Sequence, residues 1–303
     1  ALSSCLAACK LMKLDATKAT HALGLAGVAN TALRQTRAGE LSMWKGCAFA
    51  NAARNGVFAA LLAAEGLTGP APIFEGNSGF FKQISGPAQV DVGAFGRRGV
   101  PFRIHQCGIK AYPAVVYAQT AIAAGIEVAR EAGALDRIAA VEIATTKRGY
   151  QRAGSEPEKW TPDTRETADH SLPYTTARAM FDGDITNDSY TLEKLRDPRI
   201  LAFMRNITVK EDPALTARVG AAVPTRVTAI LADGRRISRE VDDVPGFPGR
   251  PMNRADTERK FRGNIGGRWP REQTDGVLQT LWALDRTPDV GALLGKLSLQ
   301  PGP

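Results

Sequence analysis

Apolar and polar positions divide this 303-residue chain into stretches of different rhythm. Residues 1–13, 17–29 and 42–65 carry Ala and Leu at helical spacing. Small residues at Gly24, Gly27, Ala48, Ala52 and Gly56 let such helices approach closely. Residues 66–101 are a glycine-rich connector. From residue 101 the pattern changes. Val115, Gln119, Ile122, Ile126 and Ala129 share one face of a helix expected over 113–133, with Pro113 at its first position. Residues 139–146 read as a strand, with Val141 and Ile143 on one face, and 206–210 as a second, shorter one. Alternating residues at 223–231 and 235–241 flank Asp233-Gly234, a dipeptide suited to a type I′ turn, and predict a hairpin. The Pro- and Gly-rich residues 244–251 read as a linker, after which helices return at 253–264, 270–284 and 288–297. The pattern predicts an α+β, mainly helical protein. Its parts are helices over 1–100, an α+β domain over 101–245, and a linker with C-terminal helices over 246–303.

Composition changes this picture little. Hydrophobic content of 44% and charged content of 23% are ordinary for a globular protein. No apolar run reads as long and uncharged enough to span a bilayer, and the opening residues lack the cationic start and cleavage site of a signal peptide. A net charge of +8 raises nucleic-acid binding as a rival class. Its basic pairs, Arg97-Arg98, Lys147-Arg148, Arg235-Arg236 and Arg259-Lys260, are scattered and not interleaved with aromatics, so that class is disfavoured. A solvated surface and attraction for an acidic substrate account for the charge better. The four cysteines, Cys5, Cys9, Cys47 and Cys107, never group into a zinc or iron–sulfur ligand set and read as free thiols of a reducing cytosol. The glycines at 93, 96 and 99 lack the spacing and the preceding strand of a dinucleotide loop.

Candidate chemistry gathers at helix starts. One of only three histidines, His170, lies in the segment Glu-Thr-Ala-Asp-His-Ser-Leu-Pro-Tyr at 166–174. Asp169 is the expected N-cap of a helix that Gly183 stops. Ser42 is the expected N-cap of the long helix over 42–65, which puts Lys45 in its first turn. Lys110 stands just ahead of Pro113. Cations at helix N-termini oppose the dipole. Three of them point to helix ends converging on a small anion such as a polycarboxylate. The plainer reading of His170, a cap or a packing group, stays open beside this one.

These residues also carry a resemblance. Trp44-Lys45-Gly46, Gly66-Leu67-Thr68-Gly69-Pro70 with Phe74-Glu75-Gly76, Lys110-Ala111-Tyr112-Pro113 and the histidine segment together resemble the MmgE/PrpD family. The family includes 2-methylcitrate dehydratases, cis-aconitate decarboxylases and iminodisuccinate epimerases. The resemblance implies a helical domain built from both chain ends, a smaller inserted α+β domain, and an active site in the cleft between them. It implies no metal or organic cofactor, a homodimer, a role in propionate catabolism, and a cytoplasmic location, or a mitochondrial one if a targeting segment precedes the chain. Lys45, Lys110, His170 and Tyr150 are its candidate catalytic residues, and His105, Arg165 and Tyr174 its candidate substrate contacts. For Tyr150 the alternative is a loop tyrosine packed on the surface. Family members carry a further helical, histidine-bearing segment ahead of the point where this chain begins, so the expected chemistry extends beyond residues 1–303.

The implied reaction is elimination beside a carboxylate, with lysines holding carboxylates and stabilising the enolate while His170 donates a proton to the departing hydroxyl. Decarboxylation or epimerisation would use the same intermediate. A non-catalytic relic or subunit of the family is the reading from another class.

Overall fold

The computed structural model describes residues 1–30, 32–220 and 222–297. The protein is α+β and mainly helical. The chain forms two compact units that part between Phe102 and Arg103.

In the first unit, helices α1 (Leu2–Leu11), α2 (Ala16–Ala29) and α3 (Trp44–Ala64) pack around Cys5, Cys9, Ala22, Ala26, Ala59 and Ala60. Small side chains set the packing distance. A Cβ on Gly56 would stand 2.1 Å from Ser4 Oγ and 2.3 Å from the Ala1 carbonyl oxygen, so α1 and α3 meet almost backbone to backbone. Burial and the neighbouring Cys9 push the Cys5 thiol up to about 11, so it stays protonated at neutral pH. Asp15 caps α2 by accepting the Lys18 N–H at 2.8 Å.

Two expectations are corrected on α3. Ser42 does not supply a side-chain cap: the helix starts at Trp44, its N-cap position is Met43, and no side chain caps it. Ser42 instead offers its carbonyl to the Lys45 N–H at 3.0 Å. By length and composition alone, α3 is also long and apolar enough to cross a membrane, contrary to the expectation that no such run exists. Alanines and leucines raise its average even though Lys45 and Arg54 lie on it. Its Gly56, Ala59, Ala60 and Ala63 face are buried against the other helices, as in a bundle.

The second unit is built on a four-stranded sheet of order β2-β1-β3-β4. Strands β1 (Ile138–Thr145) and β2 (Ile207–Glu211) are parallel. Strand β3 (Thr225–Leu231) runs antiparallel to β1 and pairs with β4 (Arg236–Val241) in the predicted hairpin; its turn is a three-residue loop with only Gly234 at positive φ, 84°, and not the type I′ turn expected. Val141, Ile143, Val227 and Ala229 are buried in one core with Ile122 and Val128 of helix α4 (Gln119–Ala132). Leu172 and Met180 of α7 (Leu172–Asp182) join the same core. Gly183 ends α7 in the left-handed conformation, φ 73°, that favours glycine. The C-terminal helices are Arg254–Ile265, Arg271–Trp282 and Val290–Lys296.

Helix α4 starts later than the apolar pattern predicts. Pro113 does not open it. A 3₁₀ turn at Val116–Ala118 intervenes, and Val115 is extended. The cause is the fully buried Gln119. Its Oε1 accepts the Tyr112 N–H at 2.9 Å, and its Nε2 donates to the carbonyls of Tyr112 at 3.0 Å and Ala114 at 3.2 Å. A side-chain amide thereby does for residues 112–114 what a helix turn would otherwise do.

Candidate functional site

His170 sits in a turn between two helices rather than in the first turn of one. Helix α6 (Arg165–Ala168) is capped by Thr164, and Asp169 lies at its C-terminal end. The N-cap of α7 is Ser171, whose Oγ accepts the Tyr174 N–H at 3.0 Å. Asp169 is therefore not the N-cap expected from the sequence; Ser171 wins because Pro173 must fall within the first turn of α7. This releases the Asp169 carboxylate, whose Oδ1 contacts His170 Nδ1. Both side chains are mostly enclosed, at 22% and 17% exposed. A carboxylate on Nδ1 fixes the tautomer of the ring: Nδ1 carries a proton, and Nε2 is the atom that gains or loses one.

The turn is tied to the Lys110 segment. The Val115 N–H donates to the Asp169 carbonyl at 2.7 Å. Lys110 is exposed on irregular chain just before Tyr112, not at a helix N-terminus as the pattern predicts. Arg165, exposed, donates to Asn187 Oδ1 at 3.0 Å and lies 6.0 Å from the centre of the Tyr190 ring. Val115, the turn at 164–171 and residues 187–190 are thus linked through Asp169 and Arg165.

The remaining candidates are placed as follows. Tyr174 is fully buried and donates its hydroxyl to the Ser189 carbonyl at 2.5 Å, so it braces the site and offers no substrate contact. Burial holds that phenol well above its ordinary pKa. Tyr150 is half-buried on a short helix, α5 (Lys147–Ala153), rather than in a loop. His105 is exposed in the 3₁₀ turn Arg103–Gln106. Lys45, half-buried, does lie in the first turn of α3, in the first unit.

Two residues of this region were not picked out by sequence reasoning. Tyr190 is 5% exposed, and its buried hydroxyl finds no hydrogen-bond partner among the described residues. Burial first, and the Asp169 carboxylate second, keep it protonated. Lys159 is 1% exposed and pairs with Glu156 at 3.2 Å, while its carbonyl accepts the Ser171 hydroxyl. A buried lysine paired with a half-buried glutamate beside the turn has no local sequence signature. Among the described residues, no three of His, Cys, Asp and Glu come together as metal ligands.

A cleft of about 440 Å³ adjoins the site, walled by residues 111–113, 184–187 and 256–264. It shares Asn187 with the Arg165 contact and Ala111 with the Lys110 segment.

Residues 1–93 match the MmgE/PrpD N-terminal domain, and residues 112–284 match the MmgE/PrpD C-terminal domain. The chain belongs to the MmgE/PrpD family. It is 30% identical to a 2-methylcitrate dehydratase of Cupriavidus necator over 55% of this chain and 36% of that protein. It is 27% identical to a 2-methylcitrate dehydratase of Salmonella typhimurium over 91% of this chain and 58% of that protein. It is 23% identical to the cis-aconitate decarboxylase of Mus musculus over 96% of this chain and 59% of that protein. The chain therefore spans between about a third and three fifths of the length of these relatives.

Proposed function

We propose that this protein is a lyase acting on a small polycarboxylate, and specifically a hydro-lyase of the 2-methylcitrate dehydratase kind. The observation that carries the reading is the Asp169–His170 pair, enclosed and tied to the Lys110 segment through the Val115–Asp169 hydrogen bond. Membership of a family whose relatives are dehydratases and a decarboxylase supports it.

In this reaction a base removes the proton α to a carboxylate, and the developing enolate is stabilised by fixed positive charge, for which Lys110 is the candidate in this unit. The C–O bond on the neighbouring carbon breaks as His170 Nε2 gives its proton to the departing hydroxyl, which leaves as water. Asp169 stabilises the imidazolium before the transfer and keeps the ring in register. Arg165, at the mouth of the turn, is suited to a substrate carboxylate. The reading includes a reaction that needs no metal, a homodimer and a cytoplasmic setting.

The identity of the mouse relative supports a second reading, decarboxylation of a cis-aconitate-like substrate through the same carbanion-like intermediate. The test is turnover by the intact protein of 2-methylcitrate, cis-aconitate and iminodisuccinate side by side, with alkene formation from 2-methylcitrate followed by ultraviolet absorbance. The reading expects 2-methylcitrate to be the best substrate, and Lys110→Ala to lower its turnover about 10²–10³-fold. Release of carbon dioxide from cis-aconitate as the faster reaction favours the second reading. Activity that disappears on exhaustive chelation contradicts the metal-free mechanism.

A further inference from the structure

Lys110 stands on irregular chain, yet the residue before it is gripped by a segment far away in sequence. The Ile109 N–H donates to the Gly246 carbonyl at 2.7 Å. Gly246 belongs to residues 244–251, which the sequence reads as a linker. They form a closed turn instead. The Gly246 N–H donates to the Arg250 carbonyl at 2.7 Å, and the Arg250 N–H to the Phe247 carbonyl at 2.9 Å. Asp243 Oδ1 accepts the Val244 N–H at 2.9 Å. Val244 and Phe247 are buried, at 2% and 5% exposed. A turn with apolar anchors and its own backbone bonds is a firm support for whatever it holds.

The two segments cross glycine on glycine. Gly246 has φ 102°, a conformation that favours glycine, and a Cβ there would overlap the Ile109 carbonyl oxygen. A Cβ on Gly108 would stand 2.7 Å from the Gly246 carbonyl oxygen. On the other side of Lys110, the Gln119 side chain holds Tyr112 by both its N–H and its carbonyl. Lys110 and Ala111 are thus the short span between two anchors. A span pinned at both ends has few backbone conformations left, so the point from which the lysine stem departs is set in advance.

We propose that Gly246 is a positioning residue for Lys110: it lets the turn at 244–250 come close enough to hold Ile109 by its N–H, and so fixes the backbone that carries the lysine. The inference rests on the role given to Lys110 under the proposed function, the stabilisation of the enolate.

Two measurements on the intact protein test it. Hydrogen exchange at the Ile109 amide, followed by NMR, needs no substrate. It should be slow in the wild type and about tenfold or more faster in Gly246→Ala. Steady-state turnover of 2-methylcitrate should fall about 10–10²-fold in Gly246→Ala. In a Lys110→Ala background the same substitution should cost no more than about twofold, because the residue it positions is gone. A glycine needed only for the fold would cost the same in both backgrounds. Should Gly246→Ala misfold, Phe247→Leu, which loosens the turn without setting a Cβ against Ile109, replaces it and should show the same pattern. Unchanged turnover in Gly246→Ala, equal losses in the two backgrounds, or a wild-type Ile109 amide that exchanges like an exposed one overturns the proposal and leaves the lyase reading standing. A wild type that protects this amide yet turns over none of 2-methylcitrate, cis-aconitate and iminodisuccinate contradicts the lyase reading, and the role of Gly246 falls with it.

Discussion

At the scale of single residues, the histidine was legible and its setting was not. His170 stood out because the chain has so few histidines. Two plausible caps, Asp169 and Ser171, lie two residues apart, and propensity does not choose between them. The choice decides the chemistry. Ser171 capping α7 frees the Asp169 carboxylate to hold the imidazole. Asp169→Asn should therefore lower turnover while leaving the melting temperature near that of the wild type, and should shift the pH dependence of kcat, because an amide does not stabilise imidazolium. Unchanged kcat and pH profile would remove Asp169 from the proposed machinery. Tyr190 escaped notice because its position depends on a turn sixteen residues after Tyr174, and no periodic pattern marks it. Lys110 looked like the start of a helix because nothing in its neighbourhood announces that Gln119 will hold residues 112–114 by their backbone. Replacing that amide by leucine keeps the volume and leaves buried backbone groups unpaired. Gln119→Leu should cost about 1–3 kcal/mol in denaturant unfolding and should lower turnover as well; a neutral effect on both would show that the segment does not depend on the amide.

At the scale of elements, most boundaries follow from the sequence to within a few residues. The β3–β4 hairpin, the C-terminal helices and the stop of α7 at Gly183 are set by local signals, alternation around Asp-Gly and a left-handed glycine. What local signals miss is charge buried across elements. Arg178 on α7 is 1% exposed and bridges Asp182 on its own helix and Asp197 at the cap of the helix Pro198–Met204. Lys194 also pairs with Asp182, and Arg199 with Asp197, so Arg178→Met costs the buried charge-assisted hydrogen bonds rather than stranding the carboxylates and should destabilise the fold by about 1.5–3 kcal/mol. Hydrogen bonds from Arg199, then from Arg178, hold the Asp197 carboxyl below the ordinary value of 3.8. A depressed carboxyl contributes stability that is fully present above its unfolded pKa and is lost as pH falls toward its folded one. The melting temperature should therefore drop below about pH 4, and Asp197→Asn should flatten that drop. Equal acid slopes in the two proteins would contradict this role. In the first unit, Gly56→Val should separate α1 from α3 and destabilise by about 1–3 kcal/mol, read by thermal unfolding; a neutral result would show that the close approach is not needed.

At the scale of the whole molecule, the fold class was legible because each unit has its own rhythm, small residues at helical spacing before residue 102 and alternating strands after it. The family match divides in the same region, between residues 93 and 112. The candidate site was legible in part. The resemblance picks out Lys110, Arg165 and His170, and the second unit ties their segments together through the Val115–Asp169 hydrogen bond. The same resemblance made Tyr174 a substrate contact, which its buried hydroxyl bond to Ser189 rules out. Contact order explains the difference: motifs mark which residues matter, while hydrogen bonds spanning many residues decide which way each one faces. The central claim is that His170 delivers a proton to a leaving hydroxyl on a polycarboxylate. The most direct test is the steady-state turnover of 2-methylcitrate by the intact protein and by His170→Ala. The account predicts an active wild type and a variant slower by about 10²–10³-fold with an unchanged melting temperature. A His170→Ala protein that turns over 2-methylcitrate at nearly the wild-type rate would contradict it.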